Sequence, residues 1–236
     1  MKVAIIGATS GIAQEVAKIY AEERATLFLV ARDEAKLSAV AGDLRVRGAV
    51  VETFVADLAD RSRDEAIVSA AGEPDVVLIA HGSLPDQRAI DTDARAQSEA
   101  FALNATSFIA LIAHFATVLE RKRGGVLGVI GSVAGDRGRR SNYVYGSAKA
   151  AVHAYCEGLR ARLAESNVAV VLIKPGWVDT PMTRGMKKNP LFASAGSVAR
   201  GIHKAIGARR GDVYLPGFWR WISLLVRMLP ARLVKF

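Results

Sequence analysis

Short runs of β-branched and aliphatic residues recur along the first three quarters of the chain. They predict strands at residues 3–6, 27–31, 50–55, 76–80, 126–130 and 168–173. After the first strand, Ile12, Val16, Ile19 and Tyr20 have the spacing of one helix face, and residues 34–44 predict a second helix. Short apolar strands that alternate with helices are typical of a parallel sheet covered on both faces. The pattern therefore predicts an α/β fold, a Rossmann-type doubly wound parallel sheet in three layers, within a single domain.

Residues 100–119 form the longest stretch without Asp, Glu, Lys or Arg, and a helix of that length could just cross a bilayer. The stretch also contains Asn104, Thr106, Ser107, His114 and Thr117, and predicted strands lie on either side of it. We therefore expect a helix that is buried in the domain or at a subunit interface.

A second apolar segment, residues 216–230, contains two Trp and two Arg. On a helix, Arg220 and Arg227 would share one face, and Trp219, Ile222, Leu225 and Val226 would cover another. Pro230 is expected to end or kink the helix. The segment is typical of a helix lying in a membrane interface. The alternative is a helix packed on its own domain or on a partner subunit. We accordingly divide the chain into residues 1–215, the Rossmann-type domain, and residues 216–236, an amphipathic helical tail.

Composition and charge narrow the class of protein. With 236 residues and 51% hydrophobic content, the chain can bury a core, and disorder is excluded. Cys156 is the only cysteine and cannot form an internal disulfide. The sequence runs from Met1 directly into the first predicted strand without the pattern of a secretory signal, so a cytoplasmic location is expected.

The net charge of +9 suggests a polyanion partner, but it is unevenly distributed. Residues 1–183 have 21 basic and 22 acidic residues, a net of −1, whereas residues 184–236 have 11 basic and 1 acidic, a net of +10. The basic end points to the inner face of a membrane or to a phosphate-bearing substrate. We do not predict nucleic acid as a partner, although a nucleic-acid or membrane-surface binder stays an alternative.

The turn after the first strand has the features of a dinucleotide phosphate loop. Gly7 permits a tight turn, Gly11 lets the backbone approach a pyrophosphate, and a helix N-terminus follows. At the end of the second strand, Ala31 occupies the position where an acidic residue holds the ribose of NAD, and Arg32 follows it. An Arg there can pair with the 2′-phosphate of NADP, so NADP(H) is the predicted cofactor. Asp33 is read as the N-cap of the next helix.

A phenol and an ammonium group lie one helical turn apart at Tyr145 and Lys149. A nearby ammonium favours phenolate and is expected to lower the pKa of the tyrosine, which would suit acid or base catalysis. Ser132 follows the predicted fifth strand, at the sheet edge where this architecture gathers its ligands. Tyr143 has no lysine one turn further on.

Together these motifs resemble the short-chain dehydrogenase/reductase family over nearly the whole chain. The resemblance implies that Tyr145 protonates a carbonyl oxygen, Ser132 orients it, Lys149 holds the nicotinamide ribose, and Asn104 anchors a water relay to Lys149. The family's Asn-Asn-Ala-Gly motif is altered to Ile79-Ala80-His81-Gly82. The implied cofactor-binding residues are Gly7, Thr9, Ser10, Gly11, Ile12, Arg32, Asp57, Leu58, Ala80, Gly82, Tyr145, Lys149, Pro175, Val178 and Thr180. No metal site is predicted.

The substrate is less well defined. Arg137, Arg139 and Arg140 follow Ser132 and suit a phosphate or carboxylate, unless they form a solvated loop. This loop and the tail are similar to those of reductases that act on decaprenylphosphoryl 2-keto-pentose, which implies a lipid-linked keto-sugar. The alternatives are a 3-oxoacyl thioester or small ketone, or a catalytically idle dinucleotide-binding protein. The resemblance also implies a homodimer or homotetramer formed through the helices that contain residues 100–119 and 145–165.

Overall fold

The computed structural model describes residues 1–230, and a seven-stranded parallel sheet runs through its centre. The strand order is β3-β2-β1-β4-β5-β6-β9, which reverses direction beside β1. A separate pair, β7 and β8, lies near the carboxyl edge of the sheet. The predicted doubly wound parallel sheet is confirmed. The strands are β1 Lys2–Ile6, β2 Thr26–Ala31, β3 Val50–Val55, β4 Val76–Ile79, β5 Gly125–Ile130, β6 Val168–Pro175, β7 Val178–Asp179, β8 Ala193–Ser194 and β9 Asp212–Leu215.

Helices cover both faces of the sheet and bury two separate apolar clusters against it. One cluster includes residues of α1, α2 and α8, and the other includes residues of α3, α6 and α7. Successive residues of each central strand point to opposite faces, so Ile5 joins the first cluster and Ile6 the second. The helices are α1 Gly11–Glu22, α2 Glu34–Val46, α3 Asp64–Ala71, α4 Gln87–Ile90, α5 Ala94–Phe101, α6 Ser107–Lys122, α7 Tyr143–Leu163, α8 Ala195–Gly207 and α9 Trp219–Met228.

The uncharged stretch at residues 100–119 is a core helix, as its polar residues and neighbouring strands indicated. A π-turn at Ala102–Thr106 joins α5 to α6, and the whole helical segment would be long enough to span a bilayer. Phe108, Leu111, Ile112 and Phe115 of α6 are fully buried in the second cluster. Burial inside the domain therefore accounts for the apolar character of this segment.

Strand β9 was not predicted from the sequence. It has only four residues, begins with Asp212 and follows a basic turn, so its apolar run is too short to stand out. Its strand geometry depends on a distant partner, because it pairs in parallel with residues 172–175 of β6 at the sheet edge. It ends at Leu215, the residue where the predicted tail is divided from the domain.

The tail forms α9, which packs on the domain with one face and exposes another. Trp219 and Ser223 are buried, whereas Trp221 is 67% exposed and Leu225 62% exposed. Of the predicted apolar face, Trp219 is buried and Ile222 and Val226 are partly buried, whereas Leu225, about 120° from Trp219 around the helix, turns outward. The helix ends at Met228, two residues before Pro230. The remainder of the tail, residues 231–236, lies outside the described residues.

Candidate active site

A cavity of about 710 Å³ opens at the carboxyl ends of the parallel strands. Its walls come from the turns after β1, β2, β3, β4 and β5, from α7, and from the segment after β6. In an open parallel sheet this crevice, at the point where strand order reverses, is the expected ligand site. All the sequence-predicted site residues line it: Gly7, Thr9, Ser10, Gly11, Ile12, Arg32, Asp57, Leu58, Ala80, Gly82, Asn104, Ser132, Tyr145, Lys149, Pro175, Val178 and Thr180.

The glycine turn brings backbone, rather than side chains, to the cavity. Gly7 has a φ of +90°, and a Cβ there would lie 2.6 Å from the backbone nitrogen of His81. The N–H groups of Gly7 and Ala8 both donate to the carbonyl of Val30 at 2.9 Å, which ties the turn to β2. Helix α1 then starts at Gly11 and directs its N-terminus toward the cavity. This arrangement fits a pyrophosphate, which a helix N-terminus binds through free N–H groups.

The end of β2 leaves a cation, and not a carboxylate, at the cavity. Arg32 lines the wall beside Ala31. Asp33 caps α2, because its carboxylate accepts from the Lys36 N–H at 3.0 Å and pairs with the Lys36 ammonium at 2.7 Å. These hydrogen bonds from Lys36 lower the pKa of Asp33. The predicted N-cap is confirmed, so the carboxylate next to Arg32 in the sequence is occupied at the start of α2.

Ser132, Tyr145 and Lys149 line the same part of the fold around the cavity, at the end of β5 and on α7. The hydroxyl oxygen of Ser132 accepts from the Ala134 N–H at 3.1 Å, so its own proton is available for donation. The ammonium group of Lys149 donates to the carbonyl of Ile130 at 3.1 Å and lies 3.7 Å from the centre of the Phe108 ring. That ring and that carbonyl hold the lysine in place.

The pKa values of the tyrosine and the lysine correct one expectation. Burial raises the pKa of Tyr145 to about 12, although a hydrogen bond with Ser132 opposes the increase. Burial lowers the pKa of Lys149 to about 7. The expected lowering of the tyrosine pKa by Lys149 is wrong for this structure, because the ammonium is directed to Ile130 and Phe108 and lies 5.8 Å from the centre of the tyrosine ring.

Asn104 lies in the π-turn, and backbone groups occupy its side-chain amide. Its oxygen accepts from the Ser83 N–H at 3.1 Å, and its nitrogen donates to the carbonyl of Ala100 at 2.9 Å. Gly82, at φ +131°, lies so close that a Cβ would come within 2.7 Å of the Asn104 oxygen. The side chain therefore fixes the loop after β4 against the cavity. Its part in a water relay stays a prediction.

His81 is a cavity residue that the sequence reasoning did not assign. Its ring stacks on Phe108 with centroids 4.1 Å apart, and its Nε2 lies 2.8 Å from the Ser107 hydroxyl. Burial, and then the charge of Lys149, lower the pKa of His81 to about 3, so the ring is neutral. The signal in the sequence was the departure from the family motif at this position. Phe108 thus packs against both the neutral imidazole of His81 and the ammonium group of Lys149.

Beside the cavity, two segments pack on one aromatic residue, Trp177. We call residues 180–192, between β7 and β8, the flap. Trp177 contacts Phe192 at the end of the flap and Trp219 at the start of α9, each with ring centroids 5.6 Å apart. The Trp219 ring lies directly against Gly176, where an added Cβ would overlap it. The guanidinium of Arg137, which follows β5, donates to the carbonyl of Leu229 at 3.2 Å and so contacts the residue directly after α9.

Comparison with known proteins gives one consistent family. The profile described as short chain dehydrogenase matches residues 1–190. An uncharacterized oxidoreductase of Mycobacterium tuberculosis is 34% identical over 236 residues, covering 97% of this chain and 93% of the relative. A second, from Streptomyces coelicolor, is 34% identical and covers 98% of this chain and 93% of its own. Among solved structures, a short-chain dehydrogenase from Sphingobium yanoikuyae in complex with NADPH superposes with a TM-score of 0.85 at 25% identity, covering 97% of this chain and 96% of the other.

Proposed function

Because this chain belongs to the short-chain dehydrogenase family of oxidoreductases, we propose that it is a carbonyl reductase that uses NADPH. The observation that carries the proposal is that Ser132, Tyr145 and Lys149 line the same cavity as the glycine turn and Arg32. A proton donor, a hydrogen-bond donor and a dinucleotide cradle are thus within reach of one ligand. The alternative of an idle dinucleotide-binding protein is disfavoured, because the chain keeps every member of this group.

The residues present fit a nicotinamide dinucleotide. The absence of a Cβ at Gly7 lets the turn pack closely against the backbone of His81, and α1 directs its N-terminus to the cavity beside it. Arg32, with Asp33 occupied in the helix cap, favours the 2′-phosphate of NADP over the free ribose of NAD. The Sphingobium relative was solved with NADPH, which agrees with this choice. When bound, the cofactor would supply hydride to a carbonyl carbon.

The chain's own part in the reaction is to hold the carbonyl and to move a proton. As hydride arrives, negative charge grows on the carbonyl oxygen, and the Tyr145 hydroxyl would donate its proton to that oxygen. Ser132 would donate a second hydrogen bond to the same oxygen and fix its position. A pKa of about 12 keeps Tyr145 protonated and ready to donate at neutral pH. Lys149, with a pKa near 7, would return a proton to the phenolate through an intervening water, because its ammonium is directed to Ile130 and Phe108.

The reductase proposal is tested with purified protein, NADPH and a panel of ketones, acyl thioesters and keto-sugars. We expect NADPH oxidation with at least one class, and NADPH bound more tightly than NADH. Tight NADPH binding with no turnover on any class would favour the idle dinucleotide-binding protein instead.

We further propose that the substrate end faces an anionic membrane and that the substrate is a lipid-linked carbonyl, in the first instance a keto-sugar on a polyprenyl phosphate. The exposed face of α9 contains Trp221, Leu224, Leu225 and Met228, and Met228 is 76% exposed. Arg220 and Arg227 lie beside these apolar residues. A helix with this composition lies in the headgroup region of a bilayer.

The flap adds a second apolar and basic element to the same side of the molecule, because both segments pack on Trp177. It exposes Met182, Met186 and Leu191, and Met182 also lines the cavity. Arg184 and Lys187 are exposed in the same segment. A second copy of the chain is the less favourable occupant, since a two-fold contact would bring these cations together.

The membrane proposal is tested by sedimentation with vesicles of phosphatidylcholine and phosphatidylglycerol. Each large apolar side chain that inserts contributes about 1.5–3 kcal/mol, so the pair Trp221→Ser and Leu225→Ser should weaken binding by more than about tenfold. The matched control is Val46→Ser and Val50→Ser, which are 88% and 63% exposed on the opposite end of the sheet. Equal binding by both double variants, or a wild-type dimer that only the tail variant dissociates, would overturn the proposal.

The lipid-linked substrate needs a separate measurement. The polyprenyl-phosphate keto-sugar should oxidise NADPH in the presence of vesicles at a higher kcat/KM than the same keto-sugar without its lipid. A preference for a water-soluble ketone or a 3-oxoacyl thioester would reject the lipid-linked substrate while leaving the reductase proposal intact.

A further inference from the structure

A buried polar cluster lies directly behind Ser132, outside the cavity. It contains His153 from α7, Asp136 from the loop after β5, Lys174 from β6 and Asp212 from β9. The side chains of His153, Asp136 and Lys174 are 11%, 5% and 10% exposed, whereas Asp212 lies at the surface end of the cluster and is 41% exposed. Charged groups buried this deeply are costly to the fold unless they are paired. None of these four residues lines the cavity, so the reaction proposed above does not account for them.

His153 is one helical turn beyond Lys149 and two turns beyond Tyr145, so all three share a face of α7. Its imidazole occupies a niche between the two glycines that flank the Ser132 turn. A Cβ at Gly131 would lie 2.7 Å from its Nε2, and a Cβ at Gly135 would lie 2.6 Å from its Cε1. The backbone N–H of Ser132 donates to the same Nε2 at 3.5 Å. The ring therefore contacts the backbone on both sides of the serine.

The rest of the cluster fixes the protonation of this ring. Nδ1 of His153 lies 3.6 Å from a carboxylate oxygen of Asp136, and that oxygen is 3.3 Å from the Lys174 ammonium. Lys174 also pairs with Asp212 at 3.0 Å. Burial and the charges of Lys174 and Lys149 lower the pKa of His153 to about 4, against the opposing charges of Asp136 and Asp212. A neutral ring that places its proton on Nδ1, toward the carboxylate, leaves Nε2 free to accept from Ser132.

We propose that His153 is a positioning residue for the reductase, which holds the Ser132 turn through its Nε2 while Asp136 and Lys174 hold its own orientation. The predicted effect on rate rests on the proposed function, whereas the contact between His153 and the Ser132 turn does not depend on it. A shift of about 1 Å in a group that orients the reacting atom can cost up to about 10²-fold in rate. The glycine turn and Arg32, which we assign to the cofactor, lie at the other end of the cavity, so the affinity for NADPH should not depend on His153.

Two amide substitutions separate the two contacts of the ring. In His153→Gln the longer side chain can place an acceptor near the Nε2 position, whereas in His153→Asn the amide reaches only the Nδ1 position near Asp136. We expect kcat to fall by about 10- to 100-fold in His153→Asn and in His153→Leu, and by less than about threefold in His153→Gln. NADPH affinity should stay the same in all three. Equal losses in the Gln and Asn variants would contradict the assignment.

A double-mutant cycle shows whether His153 acts through Ser132. If it does, His153→Leu should cost nothing further in a Ser132→Ala background, whereas a general structural role would lower the rate by the same factor in both backgrounds. A proton–nitrogen NMR spectrum of the wild-type protein shows which imidazole nitrogen of His153 is protonated. This test of the geometry needs neither an activity assay nor a variant. A neutral ring with its proton on Nδ1 at pH 7 is expected. A proton on Nε2, or a charged ring, would overturn the proposal even if the protein proved to be an active reductase.

Discussion

The cofactor end and the substrate end of the cavity are built in different ways. At the cofactor end the walls are backbone turns that leave β1 and β2, held by hydrogen bonds such as those from Gly7 and Ala8 to Val30. At the substrate end the neighbouring structure depends on side chains from three segments, where Phe192 and Trp219 pack on Trp177 beside the cavity. The first end is determined by local sequence, and the second by packing between distant segments. Substrate choice can therefore change while the cofactor cradle stays the same.

The largest effect is expected where the two ends meet, at the hydroxyl of Tyr145. We expect Tyr145→Phe to lower kcat by about 10²- to 10⁴-fold, the usual contribution of a general acid, with NADPH affinity unchanged. Stopped-flow oxidation of NADPH and fluorescence titration measure the two quantities. Tyr143→Phe is the control, since that hydroxyl donates to Asp91 on the surface. A Tyr145 variant that kept more than a few per cent of the wild-type rate would show that another group donates the proton.

The two ends also differ in how far the sequence predicts them. The glycine turn, Arg32, Asp57 and the Tyr-Lys pair follow strands whose apolar runs are visible in the sequence, so their convergence on one cavity follows from the parallel sheet. The niche for His153 and the contact of Trp219 with Gly176 were not predicted. Both contacts depend on which side of a helix faces the domain. They also depend on β9, a four-residue strand at the sheet edge that forms only by pairing with β6. Periodicity within one segment contains no information about such partners.

The buried ammonium group of Lys149 should make the free energy of unfolding depend on pH. We expect no such contribution from the cofactor end. The folded-state pKa of Lys149 is about 7, whereas an unfolded lysine has a pKa of about 10.4. Between these values the unfolded chain binds more protons, so the free energy of unfolding contributed by Lys149 rises with pH, by up to about 1.4 kcal/mol per pH unit. Lys149→Met should remove this slope, so that its stability advantage over the wild type is greatest at pH 7 and below.

Urea unfolding of the wild type and of Lys149→Met at pH 6, 7, 8, 9 and 10 measures this difference. The two curves should converge toward pH 10. Lys187→Met, in the exposed flap, should parallel the wild type throughout. A constant offset between Lys149→Met and the wild type at every pH would mean that the contacts with Phe108 and Ile130, and not the burial of charge, determine the effect.

A single methyl group added at Gly176 should disturb the packing of α9 beside the substrate end. In Gly176→Ala the added Cβ would overlap the Trp219 ring, so we expect a loss of about 1–3 kcal/mol in stability, typical of overpacking. The KM for the carbonyl substrate should rise while NADPH affinity changes little. Gly217→Ala is the control, because open space surrounds its Cβ position. If Gly176→Ala weakened NADPH and the carbonyl substrate equally, the two ends would not be independent.

An effect of similar size, confined to cofactor binding, is expected at the far cofactor end. Arg32→Ala removes one charge-assisted contact to a 2′-phosphate, which contributes about 1.5–3 kcal/mol, so NADPH affinity should fall by at least about tenfold. NADH lacks that phosphate, and its affinity should not change, so the preference between the two cofactors narrows. Arg95→Ala, an exposed residue paired with Glu99, should leave both affinities as they are. Because Asp33 is already occupied by Lys36, removing Arg32 should not by itself create an NAD site. A variant that bound NADH more tightly than the wild type would show that Asp33 leaves its cap and takes the ribose, and the cofactor end would then be as adaptable as the substrate end.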